Sequence, residues 1–151
     1  MKTPSCRAGS GWQNSRGGAE SIFVEHVNQA GKTSTANTAS LAALLRELVD
    51  EHYVISAAES KRPFECDGLP VYKQMPGLVV MPASTDEVRQ VMRLCHQRKV
   101  PVVVRGAGTG LSGGALPHPD GVLLSLTRLA NILEIDPGAG LARVQPGVTN
   151  L

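Results

Sequence analysis

Residues 105 to 114 read Arg-Gly-Ala-Gly-Thr-Gly-Leu-Ser-Gly-Gly, five glycines in ten positions. They follow a short apolar run, Pro101 to Val104. A chain that leaves a buried strand and then sheds its side chains makes its backbone accessible. Glycine permits positive φ angles and lets a ligand's oxygens approach with no Cβ in the way. Successive N–H groups can then converge on one concavity, an anion nest that needs no cationic side chain. Thr109 and Ser112 add hydroxyl donors, and Arg105 adds charge at the rim. A diphosphate suits such a site, being long, doubly anionic and held by many neutral donors at once. The competing explanation is a linker or a tight structural turn. Linkers lie between domains, whereas this stretch lies between two apolar strand candidates, where a short connection would suffice.

Two familiar phosphate motifs do not fit. Gly108 to Gly113 satisfies G-x-G-x-x-G literally, but that fingerprint must open a helix whose N-terminus receives the pyrophosphate. Here Pro117 and Pro119 follow and prevent a helix from continuing. No acidic residue stands about 20 positions on, in a second strand, to take a ribose. A Walker loop fails as well, because no Gly-Lys-Ser/Thr closes the stretch.

Chemistry is thinner elsewhere. Cys6, Cys66 and Cys95 lie far apart with no C-x-x-C, which is neither a disulfide framework nor a zinc site. His26, His52, His96 and His118 are equally scattered, so no metal cluster is expected. Cys95 and His96 are adjacent but point different ways on a helix, Cys95 to the core and His96 to the surface. Glu65 and Asp67, flanking Cys66, read as solvated loop acids. Net charge is +2 and aromatic content 3%, which offers neither a basic footprint nor base-stacking platforms for nucleic acid. No run approaches the ~18 consecutive apolar residues of a membrane span. The polar start lacks an apolar signal-peptide core, so a cytoplasmic location is expected, at a membrane surface only through partners.

The elements that must position the glycines are short. Residues 1–39 read as a polar tail. Leu41, Leu44, Leu45 and Leu48 keep the spacing of one helical face, so a helix is predicted after Ser40. The prolines and glycines between Phe64 and Gly77 predict an ordered loop. Leu78 to Met81 reads as a buried strand closed by Pro82. Ser84 and Glu87 form a capping box opening a helix with Val88, Val91, Met92 and Cys95 on its apolar face. Arg89, Arg93, Arg98 and Lys99 belong to its exposed side. Pro101 ends that helix and Val102 to Val104 form the next strand, a βαβ crossover with parallel strands. Gly121 to Leu126 is a third strand candidate. Ile132 to Ile135 and Leu141 to Gln145 flank a hairpin turn at Asp136 to Gly140. The predicted class is α/β (α+β).

The stretch from Arg105 to Gly114 resembles the pyrophosphate-binding loop of FAD-linked oxidases of the vanillyl-alcohol-oxidase type, and within them the glycolate-oxidase FAD-binding subunits. Phe64 to Leu69, Pro76 to Pro82, Arg93 to Cys95, Val100 to Val102, Ala115 to Pro117, Gly121 to Leu124 and Ala142 to Val148 agree in order. The resemblance covers about residues 41–151 and leaves 1–39 unmatched. It implies a division into the tail (1–39), a helix and ordered loop (40–76) and part of a PCMH-type FAD-binding domain, its first subdomain (77–151). It also implies FAD as the cofactor, contacted mostly through main chain by Arg105, Gly106, Ala107, Gly108, Thr109, Gly110, Leu111, Ser112, Gly113 and Gly114.

The family oxidises small 2-hydroxy acids such as glycolate or D-lactate, passing hydride to the flavin. Such proteins run several hundred residues and add a second FAD subdomain and a substrate-binding cap. The expectation is therefore a fragment, inactive in isolation, with no catalytic residue or metal ligand of its own, partnered in full-length form by other glycolate oxidase subunits. No His or Cys stands inside the loop, which favours noncovalent FAD. The residues alone leave open a non-redox module binding nucleotide or diphosphate, or an inactive structural remnant.

Overall fold

The computed structural model describes residues 35–68 and 70–149. Its apolar runs become strands of one four-stranded sheet: β1 (Val54–Ile55), β2 (Leu78–Val80), β3 (Val102–Arg105) and β4 (Val122–Ser125). The order is β1-β2-β4-β3. β2, β4 and β3 run parallel, with Val79 and Val103 both opposite Leu123, and β1 joins β2 antiparallel. Every residue of β2 and β4 is buried. That near-continuous apolar character is what a parallel sheet covered on both faces requires.

Among the described residues three helices accompany the sheet: α1 (Thr35–Leu48), the single turn α2 (Ala58–Lys61) and α3 (Thr85–Gln97). The expected crossover is present as β2-α3-β3, with β4 inserted between its two strands. Leu41, Ala42, Leu45 and Val49 of the α1 segment join Val91 and Cys95 of α3 in one core with Val54, Val80, Val122 and Leu124. Strand side chains alternate between faces, so the in-register set Val79, Leu123, Val103, Ser125 and Arg105 lies on the opposite face. From this face the Arg105 side chain reaches the carbonyls of Phe64 and Ala115.

The cap of α3 is built much as its sequence suggests. Ser84 Oγ accepts from the Glu87 N–H at 3.1 Å. The Glu87 carboxylate reaches back one residue further than expected, accepting from the Ala83 N–H at 2.8 Å. The buried stripe is Val91 and Cys95 with Val88 and Leu94 packed beside them, whereas Met92 is 42% exposed. The stripe is thus centred towards Leu94, one position round from the expected face.

Three differences from the sequence reading are local. α1 begins at Thr35 rather than after Ser40. Asn37, Ala39 and Ser40 are exposed and carry no apolar stripe, so periodicity had nothing to register before Leu41. The rest of the predicted tail, residues 1–34, lies outside the described residues. Residues 51–64, to which the pattern assigned no element, hold two 3₁₀ turns, β1 and α2. A two-residue strand is too short for a pattern of its own and exists because the edge of β2 offers it partners.

β5 (Ile132–Asp136) and β6 (Leu141–Val144) form the expected hairpin as a separate two-stranded sheet. Asp136 Oδ1 accepts from the Ala139 N–H at 3.0 Å, and Gly140 takes φ 66° to close the turn. Every residue of both strands is exposed.

Candidate functional site

β3 delivers the chain to Arg105 at the carboxyl end of the parallel strands, the end at which open α/β sheets place ligands. The next nine residues form no helix or strand and climb from half-buried at Gly106 to exposed at Thr109 through Ser112. Among the described residues, no N–H from Gly106 to Gly114 donates to a backbone carbonyl. The chain resumes local order only where the Leu116 N–H donates to Gly113 O at 3.1 Å.

The glycines in and around this loop sort into two kinds. Some are bare because other backbone crowds them. A Cβ on Gly106 would stand 2.5 Å from Pro146 O, and one on Gly68 would stand 2.7 Å from Gly110 O and 2.9 Å from Thr109 O. A Cβ on Gly147 would meet Leu126 O at 2.3 Å. These contacts draw two other turns, around Gly68 and around Pro146 and Gly147, against the stem and crest of the loop.

The others face open space. A Cβ on Gly110, Gly113 or Gly114 would meet nothing within 4 Å. Gly113 has a conformational reason to be glycine, since its φ is +71°. Gly110 and Gly114 have none, because positive φ among the described glycines is confined to Gly108, Gly113 and Gly140. Among the described residues, neither packing nor backbone geometry demands glycine at these two positions. The open space and the amides without backbone acceptors fit a group with several closely placed oxygens, such as the FAD diphosphate that the resemblance implies.

The Arg105 guanidinium corrects an expectation. It does not sit at the rim: the residue is 6% exposed, on the sheet face opposite the core shared by α1 and α3. One nitrogen, Nη2, donates to Ala115 O at 2.8 Å and to Phe64 O at 3.3 Å. Burial pulls its pKa below the ordinary arginine value, and the nearby Asp67 and Cys66 push the other way. Two carbonyl oxygens thus replace water at Nη2, whereas the buried Nε makes no hydrogen bond among the described residues.

The other candidate side chains do not assemble. Burial pushes the Cys95 thiol up to about 11, while its neighbour His96 is exposed, so the two share no site. Glu65 is occupied by Lys73 at 3.0 Å, and its carboxylate raises the lysine pKa. The basic residues of α3 are exposed, with Arg89 bonded to Asp86. Among the described residues no group of His, Cys, Asp or Glu could hold a metal ion, and no helix is long and apolar enough to cross a membrane.

Sequence reasoning assigned no site role to Gly68 and Gly147. The Asp-Gly and Pro-Gly pairs that contain them are turn signals. Nothing local says that these turns fold back onto a loop distant in sequence.

The parallel sheet of this α/β fold ends in a side-chain-poor loop whose amides take no backbone acceptor among the described residues. The family described as FAD binding domain matches residues 76–151, and the chain belongs to that family. It is 47% identical over 130 residues to the glycolate oxidase subunit GlcD of Escherichia coli K12, covering 86% of this chain and 26% of the relative. A D-lactate dehydrogenase of Anaerostipes hadrus is 38% identical, over 63% of this chain and 20% of the relative. Among solved structures, p-cresol methylhydroxylase with substrate bound superimposes with a TM-score of 0.68 at 25% identity, over 77% of this chain and 23% of that one. The chain thus spans about a quarter of the length of these curated relatives. The α/β class and the kinship with vanillyl-alcohol-oxidase-type flavoproteins agree with the sequence reading, and FAD is the family's cofactor.

Proposed function

We propose that residues 105–114 hold the diphosphate of FAD through main-chain N–H groups, and that the chain supplies the FAD-binding part of an oxidoreductase acting on a small 2-hydroxy acid. The observation that carries this is the pair Gly110 and Gly114, bare with open space beside them and no conformational need for glycine. FAD, when bound, accepts the hydride of the substrate's hydroxyl-bearing carbon. The chain's own part is to bind and orient: loop amides meet the diphosphate, and the hydroxyls of Thr109 and Ser112 add donors. Residues 40–76 lead into the binding unit of 77–151.

Glycolate or D-lactate as substrate, and further oxidase subunits as partners, rest on the names of the relatives. Titration calorimetry of the purified chain with FAD, ADP and inorganic pyrophosphate tests the binding claim. FAD is expected to bind tightest, with ADP retaining part of the affinity through the shared phosphates. Absence of heat with all three would overturn it. ADP binding as tightly as FAD would instead favour a nucleotide module without redox chemistry.

A further inference from the structure

The loop is folded around the Arg105 side chain. Gly108 passes over the arginine stem, with a Cβ placed there falling 3.4 Å from Arg105 Cδ. Ten residues after Arg105, at the loop's exit, Ala115 O accepts from Nη2 at 2.8 Å. The same nitrogen donates to Phe64 O at 3.3 Å, and Phe64 begins the segment whose Gly68 touches the loop at Thr109 and Gly110. Entry, crest and exit of the loop are thereby referred to one buried planar group. The amides between them take no backbone acceptor among the described residues, so main-chain hydrogen bonding does not hold the loop in shape.

We infer that Arg105 is a positioning residue: its guanidinium braces the loop's exit to the Phe64–Gly68 segment and sets the cradle's shape before any cofactor arrives. It acts through Ala115 and Phe64 carbonyls rather than by touching the diphosphate. A lysine is no substitute, because an ammonium carries its donors nearer the backbone and lacks the planar reach. The inference deepens the FAD reading and rests on it for what the shaped loop binds.

The test compares wild type with Arg105→Met, which keeps an unbranched stem and removes the donors, and Arg105→Gln, which keeps a short amide donor. Backbone order parameters of the free chain, from ¹⁵N NMR relaxation, are followed at loop residues 106–114 and, as internal control, in β2 and β4. FAD affinity is then measured by calorimetry. Both variants are expected to show lower order in the loop with the strand values unchanged, and to lose about tenfold in affinity as the ligand takes over the ordering. Wild-type loop order in either folded variant would overturn the brace. If both variants unfold throughout, the guanidinium supports the whole sheet rather than the loop, and the inference also fails. A wild-type chain that binds no FAD, with variants that still lose loop order, sinks the cofactor reading and leaves the brace standing.

Discussion

Replacing Gly110 by alanine separates stability from binding in one step. The new Cβ meets nothing within 4 Å and the backbone there is not left-handed, so no strain arises. Alanine restricts the unfolded chain more than glycine does, and a compatible Gly→Ala change stabilises by about 0.4–1 kcal/mol. The thermal midpoint of Gly110→Ala should therefore hold or rise. If the empty space belongs to a phosphate, the methyl displaces an oxygen from its amide donors. A hydrogen bond to a charged group contributes about 1.5–3 kcal/mol, so FAD affinity should fall on the order of ten- to a hundredfold. Gly68→Ala is the opposite control, because its Cβ would lie 2.7 Å from Gly110 O and must push backbone aside. That change should destabilise by about 1–3 kcal/mol as an overpacked site does. Calorimetric titration with FAD, paired with thermal melts of the free proteins, reads both quantities. Gly110→Ala with unchanged midpoint and undiminished FAD affinity would refute the assignment of this space to the ligand.

Other outcomes follow from the core and the caps. Ser84→Ala removes the acceptor for the Glu87 N–H and should cost about 1 kcal/mol in urea denaturation, with the Glu87 bond to Ala83 limiting the loss. Leu124→Ala, at 0% exposure in the central strand, should cost about 2–5 kcal/mol and cooperatively lower the midpoint of the whole sheet. The Cys95 thiol has its pKa raised from 9.0 to about 11 by burial, so the folded chain holds this proton more tightly than the unfolded one. Its contribution to stability is complete below pH 9 and is lost as pH climbs towards 11. Denaturation midpoints should fall through that window, and Cys95→Ala should flatten the fall. Under native conditions iodoacetamide should label half-buried Cys66 ahead of Cys95, with Cys95 reacting only on unfolding.

What the sequence made legible were features whose cause is local. The strands around Val79, Val103 and Leu123 are apolar runs bounded by proline or glycine, and α3 carries its cap in Ser84 and Glu87. The glycine loop stands out because five bare residues follow a strand. Strand order was not legible, since the insertion of β4 between β2 and β3 depends on packing between elements distant in sequence. Nor was β1, which owes its two residues of strand to the open edge of β2.

Arg105 shows why the loop's supports were harder to read than the loop. An arginine before a bare stretch is naturally placed in water, because burying a cation costs several kcal/mol, on the order of 1–3 for each hydrogen bond left unmade. Burial becomes tolerable only when carbonyls without other partners converge on it. Here they come from Phe64, at the end of a 3₁₀ turn preceding the whole crossover, and from Ala115, where the loop ends. Whether a carbonyl is left over depends on the turn that contains it and not on its side chain, so no residue type announces it. Gly68 and Gly147 are hidden for the same reason, being glycine on account of backbone that arrives from elsewhere. Side-chain pattern therefore locates the bare loop, and backbone hydrogen bonding between distant turns decides how it is held.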